Sequence, residues 1–155
     1  MPNNDSKMIE HLRRTFPHIH FEESDDFYWS PSKQIVYYGS LTSDEDAAIL
    51  LHETAHALLG HSTFSSDVAL LKHENDAWQH AKLELAPLFG ILLEENLIQD
   101  HLDSYRDWLH ARSICPRCSE TGLQTKTSTY QCINCQCSWM VNDARRCQLR
   151  RYVLR

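Results

Sequence analysis

Residues 52–61 read HETAHALLGH, and this stretch decides how the rest of the chain is interpreted. It places His52, Glu53 and His56 in the order His-Glu-x-x-His. Residues four apart share one face of an α-helix, so the two imidazoles can point at one ion while Glu53 stands beside it. The chain has ten histidines, and a polar surface helix could carry the same letters. The flanking sequence decides between these two interpretations.

The sequence around this stretch predicts a capped and mostly buried helix. Thr42 and Glu45 fit a capping box, and acidic residues crowd the first turn. Apolar residues recur from position 47 to position 59, and Gly60 is a natural C-terminal stop. This context favours metal binding, because half-exposed histidines and a solvated glutamate would not require a buried helix.

The flanking segments predict an α+β fold, in which a small β-sheet packs with helices that include the His-Glu-x-x-His helix. Residues 7–16 form an amphipathic helical pattern that Pro17 ends. Three stretches predict strands, HIHFEE (18–23), FYWS (27–30) and QIVYYG (34–39). A turn between the last two predicts a hairpin or small sheet. From residue 70 to about residue 112 the rhythm is helical again, with a kink or break at Pro87.

Two histidines do not complete a catalytic zinc site, which takes three protein ligands and keeps one position for water. His61 is too close for the longer His-Glu-x-x-His-x-x-Gly-x-x-His spacing, and its place at a helix end turns it away from the ion. Glu74 is the favoured third ligand, because it begins the next helix 18 residues after His56 and an antiparallel return could bring it back. His73 and His80 are the alternatives.

These residues predict a hydrolytic reaction. Zinc lowers the pKa of a bound water and polarises a carbonyl group. Glu53 is expected to take the proton of that water and to pass it to the leaving amine. The ligand histidines need acceptors for their other ring nitrogens, and Asp76 is a candidate. Tyr37, Tyr38 and several histidines are candidates for stabilising the oxyanion, with none favoured.

HETAHALLGH followed by ENDAW (74–78) resembles the ImmA/IrrE-like zinc peptidases and, more loosely, the minimal gluzincin fold, over roughly residues 7–100. The resemblance implies His52, His56 and Glu74 as ligands of a catalytic zinc and Glu53 as the general base. It also implies that QIVYYG is an edge strand that holds the substrate in extended form by β-augmentation. SprT-like proteases are a second resemblance, because they also pair such a domain with a terminal zinc ribbon.

Two C-x-x-C pairs, CPRC (115–118) and CINC (132–135), predict a zinc ribbon. The spacing is typical of a closed structural zinc site, and the predicted ligands are Cys115, Cys118, Cys132 and Cys135. The stretch TKTSTYQ (125–131) is expected to form a strand between the pairs, with Trp139 and Met140 packed over the zinc. Cys137 is an alternative to Cys135, and Cys147 is expected to be a buried thiol.

The charge of the chain changes sign where the cysteines begin. Residues 1–113 carry 8 Lys or Arg and 19 Asp or Glu, a net charge of −11, whereas residues 114–155 carry 7 and 2, a net charge of +5. This predicts two domains, a minigluzincin-like metallopeptidase domain (1–113) and a four-cysteine zinc-ribbon module (114–155). The module could bind the phosphates of nucleic acid, or the acidic domain, through Arg145, Arg146, Arg150, Arg151 and Arg155.

Other features bound the class of protein. No apolar run approaches the roughly 20 residues that span a bilayer, so no membrane partner is expected. The N-terminal stretch MPNNDSKMIEHLRR lacks an apolar signal core, so a cytoplasmic location is expected. In such a compartment, C-x-x-C pairs indicate metal binding rather than disulfides.

Two classes of function follow from the sequence. The favoured one is zinc-dependent hydrolysis of peptide bonds, with one catalytic and one structural Zn²⁺ and a protein or peptide substrate. The alternative is a non-catalytic zinc-ribbon adaptor that binds protein or nucleic acid and carries a vestigial protease domain. Glu53 favours the enzyme, because an adaptor has no need for a base beside an intact set of ligands.

Overall fold

The computed structural model describes residues 4–143 and 148–155, with side chains from residue 7 onward. Within these residues the chain is α+β, with four α-helices and two small sheets. The elements are α1 (Asn4–Thr15), β1 (His20–Glu23), β2 (Tyr28–Ser30), β3 (Ile35–Tyr38), α2 (Asp44–Leu58), α3 (Asp67–His80), α4 (Glu95–Ser113), β4 (Gly122–Lys126), β5 (Thr129–Cys132), β6 (Ser138–Val141) and β7 (Arg151–Val153).

The chain forms two compact units. The first, here called the motif unit, contains the residues up to Thr63 and residues 73–98. The second, here called the cysteine unit, contains residues 64–72 and the chain from residue 99 onward. The boundary between residues 113 and 114 stays a prediction about separately folding domains. No helix in the described ranges is both long and apolar enough to cross a bilayer.

The first sheet confirms the three predicted strands but corrects their order, which is β1-β3-β2. β3 pairs in parallel with β1 and antiparallel with β2, so that Val36 lies opposite both Phe21 and Trp29. The prediction that QIVYYG is an edge strand is therefore wrong, because both of its hydrogen-bonding edges are filled. The apolar strand takes the centre, with Val36 fully buried, and the more polar strands β1 and β2 form the edges.

Helix α1 confirms the predicted amphipathic segment. Ile9 and Leu12 are buried, and the helix ends at Thr15, two residues before Pro17. The Arg13 guanidinium donates a hydrogen bond to the carbonyl of Phe21 at 2.8 Å, which ties the helix to β1.

Helix α2 carries the His-Glu-x-x-His residues and has a defined cap at each end. The N-cap is Ser43, whose Oγ accepts from the backbone N–H of Asp46, so the cap lies one residue later than the predicted Thr42–Glu45 box. Thr42 instead donates to the Asp46 carboxylate from outside the helix. The predicted stop at Gly60 is confirmed, since Gly60 has φ +67°.

The C-terminal turn of α2 is a Schellman motif. The N–H of Gly60 donates to the carbonyl of Ala57 at 3.2 Å, and the N–H of His61 donates to the carbonyl of His56 at 3.0 Å. The second bond folds His61 back beside the last turn of the helix.

The predicted break at Pro87 is confirmed. After α3 the chain forms a π-helical turn (Ala81–Leu85) and a 3₁₀ turn (Ala86–Phe89) before α4 begins. Pro87 has no N–H to continue a regular helix, and Gly90 ends the segment with φ +64°.

The second sheet has the order β4-β5-β6-β7, with every pair antiparallel. The stretch 125–131 is not the single strand that was predicted, because β4 ends at Lys126 and β5 starts at Thr129. Trp139 is fully buried among the cysteines as predicted, but Met140 is 44% exposed. Successive residues of a strand point to opposite faces, so Met140 cannot pack on the side that Trp139 occupies.

The first turn of α3 belongs to the cysteine unit through Asp67. The Tyr130 hydroxyl donates to the Asp67 carboxylate. The side chain of Gln124 also pairs with Asp67, accepting from its backbone N–H at 2.9 Å and donating to its carboxylate at 3.2 Å. These bonds fix the start of the helix that carries Glu74 seven residues later.

Candidate metal centres

Helices α2 and α3 bring His52, His56 and Glu74 together. The Nε2 atoms of the two histidines lie 3.1 Å apart, and they lie 2.9 and 3.3 Å from the two carboxylate oxygens of Glu74. Two ligand atoms about 2.0–2.1 Å from one tetrahedral zinc are about 3.3 Å apart. All three residues are buried, and their donor atoms form a group that could hold a metal ion.

Glu74 is the predicted third residue of this group, although it lies in the middle of α3 and not at its start as predicted. His73 and His80 do not join the group. The ring of His73 stacks on that of His61, with centroids 4.3 Å apart and an angle of 8°. His80 and Asp76 line an open cavity of about 360 Å³ beside His61. The role of Asp76 as an acceptor for a ligand histidine stays a prediction.

The charges in this group are arranged to attract a cation. Burial raises the pKa of the Glu74 carboxyl, but the hydrogen bonds and charges of His52 and His56 outweigh it and hold that pKa well below its usual value. Burial lowers the pKa of His56, but the neighbouring Glu74 and Glu53 carboxylates raise it above its ordinary value. The ionised Glu74 carboxylate thus lies beside two imidazoles whose Nε2 atoms can bind a proton or a metal ion.

Glu53 stands next to the group without belonging to it. Its Oε2 accepts a hydrogen bond of 2.8 Å from the backbone N–H of Trp29 in β2. In an antiparallel pair the N–H groups of successive residues point alternately towards and away from the partner strand. The N–H of Trp29 points away from β3, so the outer edge of β2 faces Glu53.

Two tryptophans contact histidines of this region, one through a ring and the other through a backbone carbonyl. The ring of Trp78 stacks on that of His52, with centroids 4.1 Å apart and an angle of 18°, and Trp78 itself is buried. The indole N–H of Trp29 donates to the carbonyl of His61 at 2.7 Å. Neither tryptophan was predicted to lie at the site. For Trp78 the signal was its spacing, because it follows Glu74 by four residues and so shares a face of α3 with it.

His61 lies outside the ligand group, as predicted, but it is not remote from it. Its Nδ1 lies 2.8 Å from Nδ1 of His56, on the side of the His56 ring opposite to Nε2. Burial lowers the pKa of His61, and the charges of His56 and His73 lower it further, to about 4. His61 is therefore a neutral imidazole at pH 7.

The two tyrosines predicted as oxyanion candidates lie on β3. Tyr37 stacks on Tyr28 across the β2–β3 pair, with ring centroids 4.6 Å apart. Tyr38 ends the strand. The assignment of an oxyanion-stabilising group stays a prediction.

The cysteine unit contains the second group that could hold a metal ion. The four Sγ atoms lie within 4.8 Å of one another, with 3.6 Å between Cys115 and Cys135 and 3.4 Å between Cys118 and Cys132. Thiolates about 2.3 Å from one tetrahedral zinc are about 3.8 Å apart. All four cysteines carry free thiols, so the spacing fits a metal site.

Backbone N–H groups point at these sulfurs, as in the turns that hold a thiolate. The N–H of Arg117 donates to Cys115 Sγ at 3.4 Å, and the N–H of Asn134 donates to Cys132 Sγ at the same distance. Burial raises the pKa of the Cys115 thiol, but the N–H groups of Cys118 and Arg117 lower it to about 6. At Cys115 the thiolate form that binds metal is thereby favoured.

Cys137, the predicted alternative to Cys135, is buried beside the group but outside it. Its Sγ lies 3.8 Å from the carbonyl oxygen of Ser138. Cys147, Arg145 and Arg146 lie outside the described residues.

No family model matches the chain, and no significant match was found among curated proteins or solved structures. The resemblance to ImmA/IrrE-like and SprT-like peptidases therefore stays a prediction from the motif.

Proposed function

We propose that this protein is a zinc-dependent metallopeptidase in which His52, His56 and Glu74 hold the ion and Glu53 is the general base. One observation carries the proposal. Donor atoms of the three buried ligand residues converge, and the Glu53 carboxylate, which follows His52 directly on α2, lies beside them. Two imidazoles and one carboxylate are a donor set of catalytic zinc sites that keep one position open. When bound, zinc would act as a Lewis acid towards a carbonyl group and would make a water acidic near neutral pH.

Glu53 would supply the proton transfers of the reaction. Its carboxylate takes a proton from the attacking water and delivers it to the nitrogen of the leaving amine. The bond from the Trp29 N–H fixes one of its two oxygens and so limits the rotation of the carboxylate. A base held in this way needs little reorganisation during the reaction.

The substrate would be a protein or peptide in extended form. β3 is paired on both sides, so the edge of the sheet beside Glu53 belongs to β2. Because Glu53 already accepts from the Trp29 N–H, a peptide beside β2 would donate to the outward carbonyl of Trp29, and its backbone would lie next to Glu53. This transfers the substrate-binding role from QIVYYG to the strand Tyr28–Ser30.

The four cysteines of the second unit would hold a structural zinc. Four thiolates close the coordination of the ion and leave no position for water, which makes such a site structural. The buried residues around the sulfurs are few, so metal binding would supply much of the folding free energy of the second sheet.

The Glu53→Gln variant tests the peptidase proposal. The substitution is nearly isosteric and keeps both histidines, so we expect an unchanged zinc content and an unchanged circular dichroism spectrum. Cleavage of a mixture of unfolded peptides should fall by at least about 100-fold, since a general base contributes about 10²–10⁴-fold. Glu94→Gln, the same change at an exposed position, is the matched control and should cut like the parent. Equal cleavage by the parent and the Glu53→Gln variant would refute the mechanism.

The adaptor remains the second candidate function, and one surface favours it. The face of the second sheet away from the cysteines exposes Leu123 (62%), Met140 (44%) and Tyr152 (47%). Met140 and Tyr152 are cross-strand neighbours, and Leu123 lies on the far side of β5 from them. If the parent and the Glu53→Gln variant cut nothing but bind a partner protein or nucleic acid equally, the adaptor function gains.

A further inference from the structure

We infer that His61 is a positioning residue for the zinc ligand His56: it accepts a hydrogen bond from the Nδ1–H of that histidine and so fixes the tautomer and orientation of the ring. The inference rests on the proposed metal role of His52, His56 and Glu74. It assigns a role to a histidine that the ligand group itself does not use.

The tautomer follows from the direction of the two nitrogens of His56. Its Nε2 points at the Glu74 carboxylate and at Nε2 of His52, where a metal would sit, so that nitrogen must present its lone pair. The ring hydrogen is then on Nδ1. Nδ1 of His61 lies 2.8 Å from it, so His61 is the acceptor and carries its own hydrogen on Nε2.

Three contacts hold His61 in this place. Its N–H closes the Schellman turn on the carbonyl of His56, and its carbonyl accepts from the indole N–H of Trp29. Its ring stacks nearly parallel on that of His73. The backbone N–H, the carbonyl and the ring face of His61 are thus each fixed by a different partner. The remaining contact of the imidazole is the one between its Nδ1 and Nδ1 of His56.

The chemical character of the acceptor also matters. Ligand histidines usually donate to a carboxylate, a backbone carbonyl or a water. An imidazole orients the ligand without adding a negative charge, and the ligand group already contains the Glu74 carboxylate. The ion would therefore keep more of its charge for the substrate than it would with a second carboxylate behind His56.

Zinc affinity is the readout that tests this inference, with the metal alone as the probe. His61→Phe keeps an aromatic ring for the stack on His73 but removes the acceptor nitrogen. His61→Asn can place an amide oxygen where Nδ1 stands and should restore the bond. Competition with a chromophoric chelator should show about 10–100-fold weaker binding at the three-residue site in the Phe variant. The Asn variant should bind near the parent value, and the four-cysteine site should be unchanged in both.

A second measurement reads the bond directly. In the zinc-loaded parent, the Nδ1–H proton of His56 should appear as a downfield, slowly exchanging NMR signal, and His61→Phe should shift it and accelerate its exchange. Trp29→Phe keeps an aromatic ring but removes the indole N–H that donates to the His61 carbonyl. It should weaken zinc binding less than His61→Phe does, because Nδ1 of His61 is still present.

The outcomes separate the inference from the peptidase proposal. Parent-like zinc affinity and a parent-like Nδ1–H signal in His61→Phe would overturn the inference alone. A parent that binds zinc at His52, His56 and Glu74 but cuts nothing would leave the inference standing and count against the peptidase. A parent that takes up zinc only at the cysteines would overturn both.

Discussion

Oε2 of Glu74 lies 2.9 Å from Nε2 of His52, although 22 positions separate the two residues along the chain. The pair connects two helices that belong to different stretches of the sequence. A metal at this place would depend on both helices, so a change on α3 should alter metal binding by α2.

We expect Glu74→Ala to empty the three-residue site. The change removes the one carboxylate of the group and leaves two neutral imidazoles, so zinc affinity should fall by more than the roughly 10–100-fold that loss of an outer partner costs. Metal analysis of the purified variant should find zinc at the cysteines only. Glu84→Ala, on the π-helical turn outside the group, is the control and should keep both ions. Unchanged metal content in Glu74→Ala would move the assignment to His73 or His80.

We expect Cys115→Ser to release one equivalent of zinc and to unfold the second sheet, β4 to β7. Structural zinc supplies about 10–16 kcal/mol of apparent binding free energy in small zinc domains, so this sheet should not fold without it. The motif unit should keep its helical signal in far-UV circular dichroism. Cys137→Ser is a matched control, because Cys137 is also buried but lies outside the group, and it should keep both ions. Disulfides among the four cysteines in protein prepared under reducing conditions would argue against the site.

Gly122→Ala should destabilise the cysteine unit. A Cβ at this position would lie 2.3 Å from Cη2 of Trp139 and 2.9 Å from the carbonyl oxygen of Gln131. Trp139 is fully buried and cannot move aside, so the cost should be at least the roughly 1–3 kcal/mol of an overpacked core. Denaturant unfolding of the zinc-loaded protein measures it. Gly39→Ala, where the nearest atoms are at 3.3 Å, should cost less.

In the zinc-free protein, the His56–Glu74 pair should stabilise the fold most in mildly acidic solution. The pKa of His56 is raised on folding, so its contribution is complete below its ordinary value of 6.5 and is lost as the pH rises through the folded value. The pKa of Glu74 is lowered on folding, so its contribution is complete above 4.5 and is lost as the pH falls through the folded value. Both contributions are present between these limits.

The lowered pKa of His61 opposes this trend below pH 6.5, so the pair is best measured as a difference between two variants that both keep His61. In the presence of a chelator, the Tm of the parent should exceed that of Glu74→Gln by more at about pH 5.5 than at about pH 8.5. Zinc should raise the Tm of the parent more at about pH 8.5 than at about pH 5.5, since metal ligands must lose their protons to bind. A difference between the parent and Glu74→Gln that grows from pH 5.5 to 8.5 without zinc would contradict the assignment of charges.

Local features of the sequence were enough to predict the helix that carries His52 and His56. Its apolar rhythm, its acidic first turn and the stop at Gly60 depend on neighbours within a few residues. The spacing of Glu74 was also informative, because two consecutive helices joined by a short connection return beside each other. The four cysteines were predictable because the spacing of two C-x-x-C pairs is itself the pattern of a zinc site.

Other structural features could not be predicted, because they depend on how chain segments fold against each other and not on local patterns of residues. The central place of β3 follows from pairing with β1 and β2, which both precede it in the sequence and lie on either side of it in the sheet. Met140 faces outward because neighbouring residues of β6 alternate between the two faces of the sheet, and Trp139 occupies the inner face. The contact of His61 with His56 required the turn geometry at Gly60, which folds the chain back.

The placement of residues 64–72 in the cysteine unit has a consequence for synthesis on the ribosome. The other residues of the first 98 can assemble into the motif unit as soon as they emerge. Asp67 must wait, because its partners Gln124 and Tyr130 are made much later. The first turn of α3 is therefore still without its tertiary hydrogen bonds while the motif unit is being made, and Glu74 lies two turns downstream on the same helix. Full definition of that helix is expected to follow the synthesis of β4 and β5, well after both histidines of α2 have emerged.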